Sequence, residues 1–113
     1  MGALAAPSNG AYEYGCGPVP AGVGFTPFND IEALRATLDE NVAAFIVEPI
    51  QGESGVNVAD PAFLLAARRL CDERGALLIF DEIQCGTGRL GTFCAYERFG
   101  VKPDVLTMAK ALG

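Results

Sequence analysis

The chain has 113 residues, half of them hydrophobic and 19% charged, a balance that suits one folded domain and not a disordered segment. Its net charge of −6, with basic residues scattered except for Arg68-Arg69, argues against nucleic acid or an anionic membrane surface as partner, since both call for clustered Lys and Arg. The four cysteines (Cys16, Cys71, Cys85, Cys94) show no Cys-x-x-Cys spacing and histidine is absent, which sets aside a zinc site and leaves catalysis to carboxylates or lysine.

No apolar run approaches the roughly 20 residues of a membrane span. Residues 1–6 lack a basic leader, so no signal peptide is expected, and Ala6 stands where myristoylation calls for Ser or Thr. Free thiols suit a reduced, cytoplasmic setting, or an organellar matrix if a transit peptide lies upstream.

Residues 1–28 are rich in Gly and Pro and read as an irregular lead-in. Asn29, with Glu32 three residues on, predicts a helix cap, followed by Ile31, Leu34 and Leu38 on one face. Residues 43–47 form a short apolar run ending at Glu48-Pro49, which reads as a buried strand of a parallel sheet. A polar loop, Gln51-Gly52-Glu53-Ser54-Gly55, comes next. Asp60-Pro61 then opens a helix with a capping side chain and proline at the first helical position. Phe63, Leu64, Ala67, Leu70 and Cys71 keep helical spacing as far as Gly75, and Arg68-Arg69 read as a solvated helix face.

A second buried strand is expected over 76–80, running into Asp81-Glu82. A Gly-rich loop over 86–91 leads to a short helix over 93–99 closed by Gly100, and a third strand over 105–108 ends at Ala109-Lys110. Strands alternating with helices predict an α/β fold with a mostly parallel sheet flanked by helices. Its crossover pattern stops just after the third strand, so the chain is expected to be an internal fragment of a longer protein.

In such sheets ligands collect beyond the carboxyl ends of the strands. Three of those ends carry ionisable groups: Glu48, Asp81 with Glu82, and Lys110. A carboxylate closing an apolar strand is costly to bury without a cation or donors. If the strand runs on, Ile83 shares the face of Asp81, and the pair could grip a flat, protonated heteroaromatic ring. A partly desolvated lysine at position 110 would have a lowered pKa and could attack a carbonyl. Each residue also has a plainer reading: Asp81 as a loop cap, Lys110 as a solvated side chain. The apolar run before Asp81-Glu82 equally fits the magnesium-holding strand of P-loop ATPases, but no G-x-x-x-x-G-K-[ST] loop is present in the chain.

Val47-Glu48-Pro49-Ile50-Gln51-Gly52-Glu53, Phe80-Asp81-Glu82-Ile83-Gln84, Gly88-Arg89 and Leu106-Thr107-Met108-Ala109-Lys110-Ala111-Leu112-Gly113 resemble, in order and spacing, the class-III aminotransferases, nearest to the acetylornithine and ornithine group. Gly17-Pro18-Val19-Pro20 and Pro27-Phe28-Asn29-Asp30 extend the likeness over nearly the whole chain. The resemblance implies part of the large domain of a fold-type-I enzyme using pyridoxal 5′-phosphate. Lys110 would be the cofactor-binding lysine and proton shuttle, and Asp81 would pair with the pyridine nitrogen. Ile83 would pack on the ring and Gln84 would hydrogen-bond near its phenolic oxygen. Glu53 would pair with a substrate-gating arginine lying elsewhere, and Glu48 would stand near the cofactor.

The implied reaction passes an amino group from an ornithine-like amino-acid donor to a 2-oxo acid, 2-oxoglutarate, in a homodimer. The 113 residues alone are expected to be inactive, because the phosphate cradle lies upstream in relatives. A 4-aminobutyrate-type or other ω-amino-acid transaminase is the alternative within the family, and a non-catalytic binding fragment is the alternative outside it. Arg89 and its glycines are expected to shape a loop or a subunit contact. Cys85, Leu90 and Ser54 depart from residues frequent in relatives, which bears on substrate preference.

Overall fold

A computed structural model describes residues 21–53 and 55–110. The lead-in up to residue 20, Cys16, Ser54 and the Ala111-Leu112-Gly113 end of the lysine motif lie outside the described residues. Residues 21–28 hold turns and no helix or strand.

The first helix, α1 (Ile31–Thr37), begins one residue later than its sequence suggests. Asp30, not Asn29, is the cap: its backbone is extended and its Oδ1 accepts the Ala33 N–H at 2.9 Å. Asn29 sits in the left-handed region (φ 62°) and turns its amide the other way. Its Oδ1 accepts the Asp60 N–H at 2.8 Å and its Nδ2 donates to the Val58 carbonyl at 3.2 Å. The second helix, α2 (Pro61–Arg74), has proline in its first turn as expected, but the Asp60 side chain makes no cap bond. Asn29 thus ties the chain just ahead of α1 to the start of α2. Gly75 ends α2 in the left-handed conformation (φ 73°), where a side chain would be strained.

Three strands, β1 (Ala44–Val47), β4 (Leu77–Asp81) and β5 (Val105–Thr107), form a parallel sheet in the order β1-β4-β5. Between β1 and α2, β2 (Ile50–Gln51) and β3 (Asn57–Val58) make a small antiparallel hairpin. On one face of the parallel sheet Val47, Leu78 and Phe80 pack with Leu34, Leu38, Phe63, Leu64, Ala67, Leu70 and Cys71 of the helical side into the core. The aliphatic side chains of that cluster give it its driving force, at roughly 25 cal/mol per Å² of apolar surface removed from water.

Among the described residues the strands are covered on one side, not two. Leu78 and Phe80 are fully buried, whereas Ile46, Leu77 and Val105 on the other face are 43%, 49% and 41% exposed. Apolar runs in sequence predict burial on both faces, yet among the described residues both long helical elements, α1 and α2, lie on the same face.

Arg68 is no solvated bystander. Its guanidinium donates to Asp72 Oδ1 at 2.6 Å and to Asp104 Oδ2 at 2.8 Å. Asp104 Oδ2 also accepts the Leu78 N–H at 2.7 Å, so one carboxylate joins α2, the start of β4 and the approach to β5. The Leu78 N–H, and after it Arg68, hold the Asp104 carboxyl below its ordinary range. A carboxylate with a depressed folded pKa contributes stability above its unfolded pKa and loses it as pH falls through the folded value. Asp104→Ala is therefore expected to lower the melting temperature at pH 7, with the gap from the parent closing as acid protonates Asp104. A gap of constant size down to pH 2 would show that the carboxylate contributes nothing through its charge.

Candidate active site at the carboxyl ends of the sheet

The parallel sheet delivers its ionisable residues to one rim. Glu48 follows β1, Asp81 closes β4, and Lys110 lies three residues beyond Thr107, the last residue of β5. Asp81 and Thr107 are register partners in neighbouring strands. The Thr107 hydroxyl donates to Asp81 Oδ1 at 3.0 Å, and the Ile83 N–H donates to the same oxygen at 3.0 Å. Both bonds fall on Oδ1, and among the described residues no hydrogen-bond donor reaches Oδ2. A half-buried carboxylate held in this way has one oxygen ready for a cation or an N–H donor.

Ile83 reaches its place by a different route from the one its spacing suggests. β4 ends at Asp81 and does not run on to Ile83. The chain turns instead, closed by the bond from the Ile83 N–H to the aspartate side chain, a local geometry that Asp favours over continued strand. Ile83 therefore stays beside Asp81, half-buried, without sharing a strand face with it.

Gln84, next in the turn, crosses to the hairpin loop: its Nε2 donates to Glu53 Oε1 at 2.7 Å. Gly52 makes room for this crossing, since a Cβ there would stand 2.9 Å from Gln84 Oε1. Glu53 is exposed and its recorded partner is Gln84, with no arginine bonded to it among the described residues. The resemblance sets that arginine outside this chain.

Burial raises the pKa of Glu48, against a lowering hydrogen bond from the Gly52 backbone. The negative charges of Asp81 and Glu53 raise it further and Lys110 lowers it. Charges act on Glu48 in this way only from nearby, so Glu48 shares one electrostatic neighbourhood with Glu53, Asp81 and Lys110. The Lys110 backbone is itself unusual, with φ 60° in the left-handed region.

Glu82 is the residue whose position the sequence did not reveal. It follows directly after β4 and is completely buried. Its Oε2 accepts the Ala95 N–H at 2.6 Å and its Oε1 accepts the Tyr96 N–H at 2.7 Å, at the start of α3 (Tyr96–Phe99). The Glu82 N–H donates to the Thr107 carbonyl at 3.0 Å, and its carbonyl accepts the Gly86 N–H at 2.9 Å. A Cβ at Gly86 would lie 2.9 Å from the Glu82 carbonyl oxygen and 3.0 Å from Oε2, so only glycine fits there. Both carboxylate oxygens are therefore occupied by backbone N–H groups, unlike a magnesium-holding acid. The signal available in sequence was a carboxylate directly after an apolar strand with glycine four residues on.

The Gly-rich segment is a shaped loop, as expected. Thr87, Gly88 and Gly91 all have positive φ, and Arg98 of α3 donates to the Leu90 carbonyl at 2.9 Å. The helix expected over 93–99 is shorter, starting at Tyr96, but Gly100 closes it. Burial pushes the Cys85 thiol, beside this loop, up to about 11, so it stays protonated near neutral pH and is no nucleophile.

The aminotransferase class-III family model matches residues 1–113. The acetylornithine aminotransferase of Methanocaldococcus jannaschii is 52% identical over 110 residues, covering 97% of this chain and 28% of that protein. A crystal structure of the ornithine aminotransferase of Toxoplasma gondii ME49 superposes with TM-score 0.91 at 42% identity, over 99% of this chain and 27% of that one. A second structure of the Toxoplasma gondii enzyme, crystallized with oxidized glutathione and holding PLP at partial occupancy in its active site, superposes with TM-score 0.86 at 42% identity over 94% of this chain and 25% of that one. The chain thus spans about a quarter of the length of the proteins it matches.

Proposed function

The chain belongs to the class-III aminotransferase family, and on that footing we propose that the full-length protein transfers an amino group from an ornithine-like donor, acetylornithine or ornithine, to 2-oxoglutarate. The proposal includes pyridoxal phosphate as cofactor, a homodimer as the working unit and a cytoplasmic site of action. The donor class is supported by the 52% identity to the Methanocaldococcus jannaschii acetylornithine aminotransferase and the close superposition on the Toxoplasma gondii ornithine aminotransferase.

The observation that carries the chemistry is a carboxylate at the end of β4, anchored by Thr107 and Ile83, beside β5, the strand whose following segment carries Lys110. The side chains fit the cofactor: Asp81 has one oxygen that no donor reaches among the described residues, Gln84 has an amide, and Ile83 offers an aliphatic surface beside them. When bound, pyridoxal phosphate supplies an electron-poor ring that takes up the charge left as a proton departs from the amine-bearing carbon. Asp81 would keep the ring nitrogen protonated, and Ile83 would pack on the ring. Gln84 would hydrogen-bond at the phenolic oxygen. Lys110 would hold the cofactor and move the proton at the reacting carbon. Glu53 would answer a gating arginine, and Glu48 would line the site.

Borohydride reduction of the full-length protein with pyridoxal phosphate, followed by peptide mapping, is expected to place the pyridoxyl label on Lys110. Label on Lys102, or on no lysine, overturns the assignment. Assays with ornithine, acetylornithine and 4-aminobutyrate then rank the donors, the first two being expected to lead.

A further inference from the structure

The bond between Gln84 and Glu53 does more than close a loop. A carboxylate can only accept, so the group that Gln84 presents to Glu53 Oε1 at 2.7 Å has to be the amide nitrogen. Turned over, the amide would set its own oxygen against the carboxylate oxygen at the same distance, a repulsive contact. The Glu53 carboxylate therefore settles the flip of an amide whose two ends are otherwise equal in shape. The amide oxygen is directed toward Gly52, where a Cβ would stand 2.9 Å away, so glycine at 52 leaves room for this end of the amide. The nitrogen carries two hydrogens. Glu53 takes one, and among the described residues no acceptor takes the other.

We infer that Glu53 is a positioning residue that sets the flip of Gln84 and so keeps an N–H, and not a carbonyl, turned to the phenolic oxygen of the bound cofactor. The inference rests on the proposed function, because that reading supplies the phenolic oxygen. Its consequence is a link between two tasks. Whenever Glu53 is drawn to a gating cation, Gln84 loses the partner that sets its flip, and the cofactor's phenolic oxygen loses an ensured donor. Glu48, Asp81 and Lys110 lie in the same electrostatic neighbourhood, so the test has to separate flip from charge.

An N–H donated to the phenolic oxygen favours its ionised form. Losing that donor raises the pH at which the absorption band of the bound cofactor titrates. Removing a nearby negative charge acts oppositely, because it disfavours the protonated form and lowers the midpoint. Glu53→Asp keeps the charge and withdraws the carboxylate by one methylene, which isolates the flip. In the full-length protein with bound pyridoxal phosphate, Gln84→Ala and Glu53→Asp are each expected to raise the midpoint, by about half to one pH unit, the size of one hydrogen bond. Glu53→Asp introduced into the Gln84→Ala protein is expected to shift it no further, because the two changes act through one bond. A Glu53→Asp midpoint equal to or below the parent's, or the same rise with and without Gln84, overturns the inference. A parent protein showing no pyridoxal phosphate band rejects the functional reading itself, a different outcome.

Discussion

Asp81→Ala is expected to cut the transamination rate of the full-length protein at least about a hundredfold while pyridoxal phosphate stays bound. Oδ2 of Asp81, which meets no donor among the described residues, is proposed to face the protonated ring nitrogen, and losing one member of a charge-assisted, partly buried pair costs on the order of 3–5 kcal/mol. At about 1.4 kcal/mol per decade, the lower part of that range already gives about a hundredfold. Asp81→Asn separates charge from shape. An asparagine oxygen still accepts the Thr107 hydroxyl and the Ile83 N–H, so the turn survives, but the amide brings no charge to the ring. Both variants are expected to be similarly slow. Turnover near the parental rate in Asp81→Asn would show that the carboxylate is only an anchor for the turn.

Glu82→Ala is expected to cost the most stability. Two backbone N–H groups, those of Ala95 and Tyr96, lose their acceptor in a fully buried place. An orphaned buried donor costs about 1–3 kcal/mol, so the pair amounts to roughly 3–5 kcal/mol when the cavity is included. Glu82→Gln keeps one acceptor oxygen and should lose about half as much. Hydrogen exchange gives a local reading: the Ala95 and Tyr96 amides should exchange far faster in Glu82→Ala, alongside a lowered melting temperature. Exchange at parental rates would mean that water or a neighbour replaces the carboxylate without loss.

The elements most legible in sequence were those whose signal is local. Apolar runs bounded by Pro or Gly marked β1, β4 and β5 to within a residue or so, and the spacing of Phe63, Leu64, Ala67, Leu70 and Cys71 marked the buried stripe of α2. What failed was decided by contacts distant in the chain. Asn29 is a sound cap by composition, but Asp60 and Val58, about thirty residues on, claim its amide and pass the cap to Asp30. One open point was settled locally: whether β4 runs on to Ile83 was undecided in sequence, and the Asp81 side chain, two residues back, captures the Ile83 N–H and turns the chain.

The candidate site divides in the same way. The rule that parallel strands gather function at their carboxyl ends located Glu48, Asp81 and Lys110, because it needs only strand ends and a common direction. The bond from Gln84 to Glu53 joins residues 31 apart and leaves no mark on either local stretch. Glu82 was in plain view beside Asp81, but its partners are backbone N–H groups, and backbone groups have no sequence identity to read.

The left-handed backbone at Lys110 sets two demands on one position against each other. Folding alone would favour glycine there, since a residue bearing a Cβ gives up about 1–2 kcal/mol in that conformation. The proposed chemistry needs the long amine, which glycine cannot provide. If Lys110 has the role proposed for it, position 110 is a point where adaptation toward greater thermal robustness and adaptation toward catalysis pull in opposite directions. A lineage released from the need for turnover would drift toward glycine here and gain robustness as it lost its reaction.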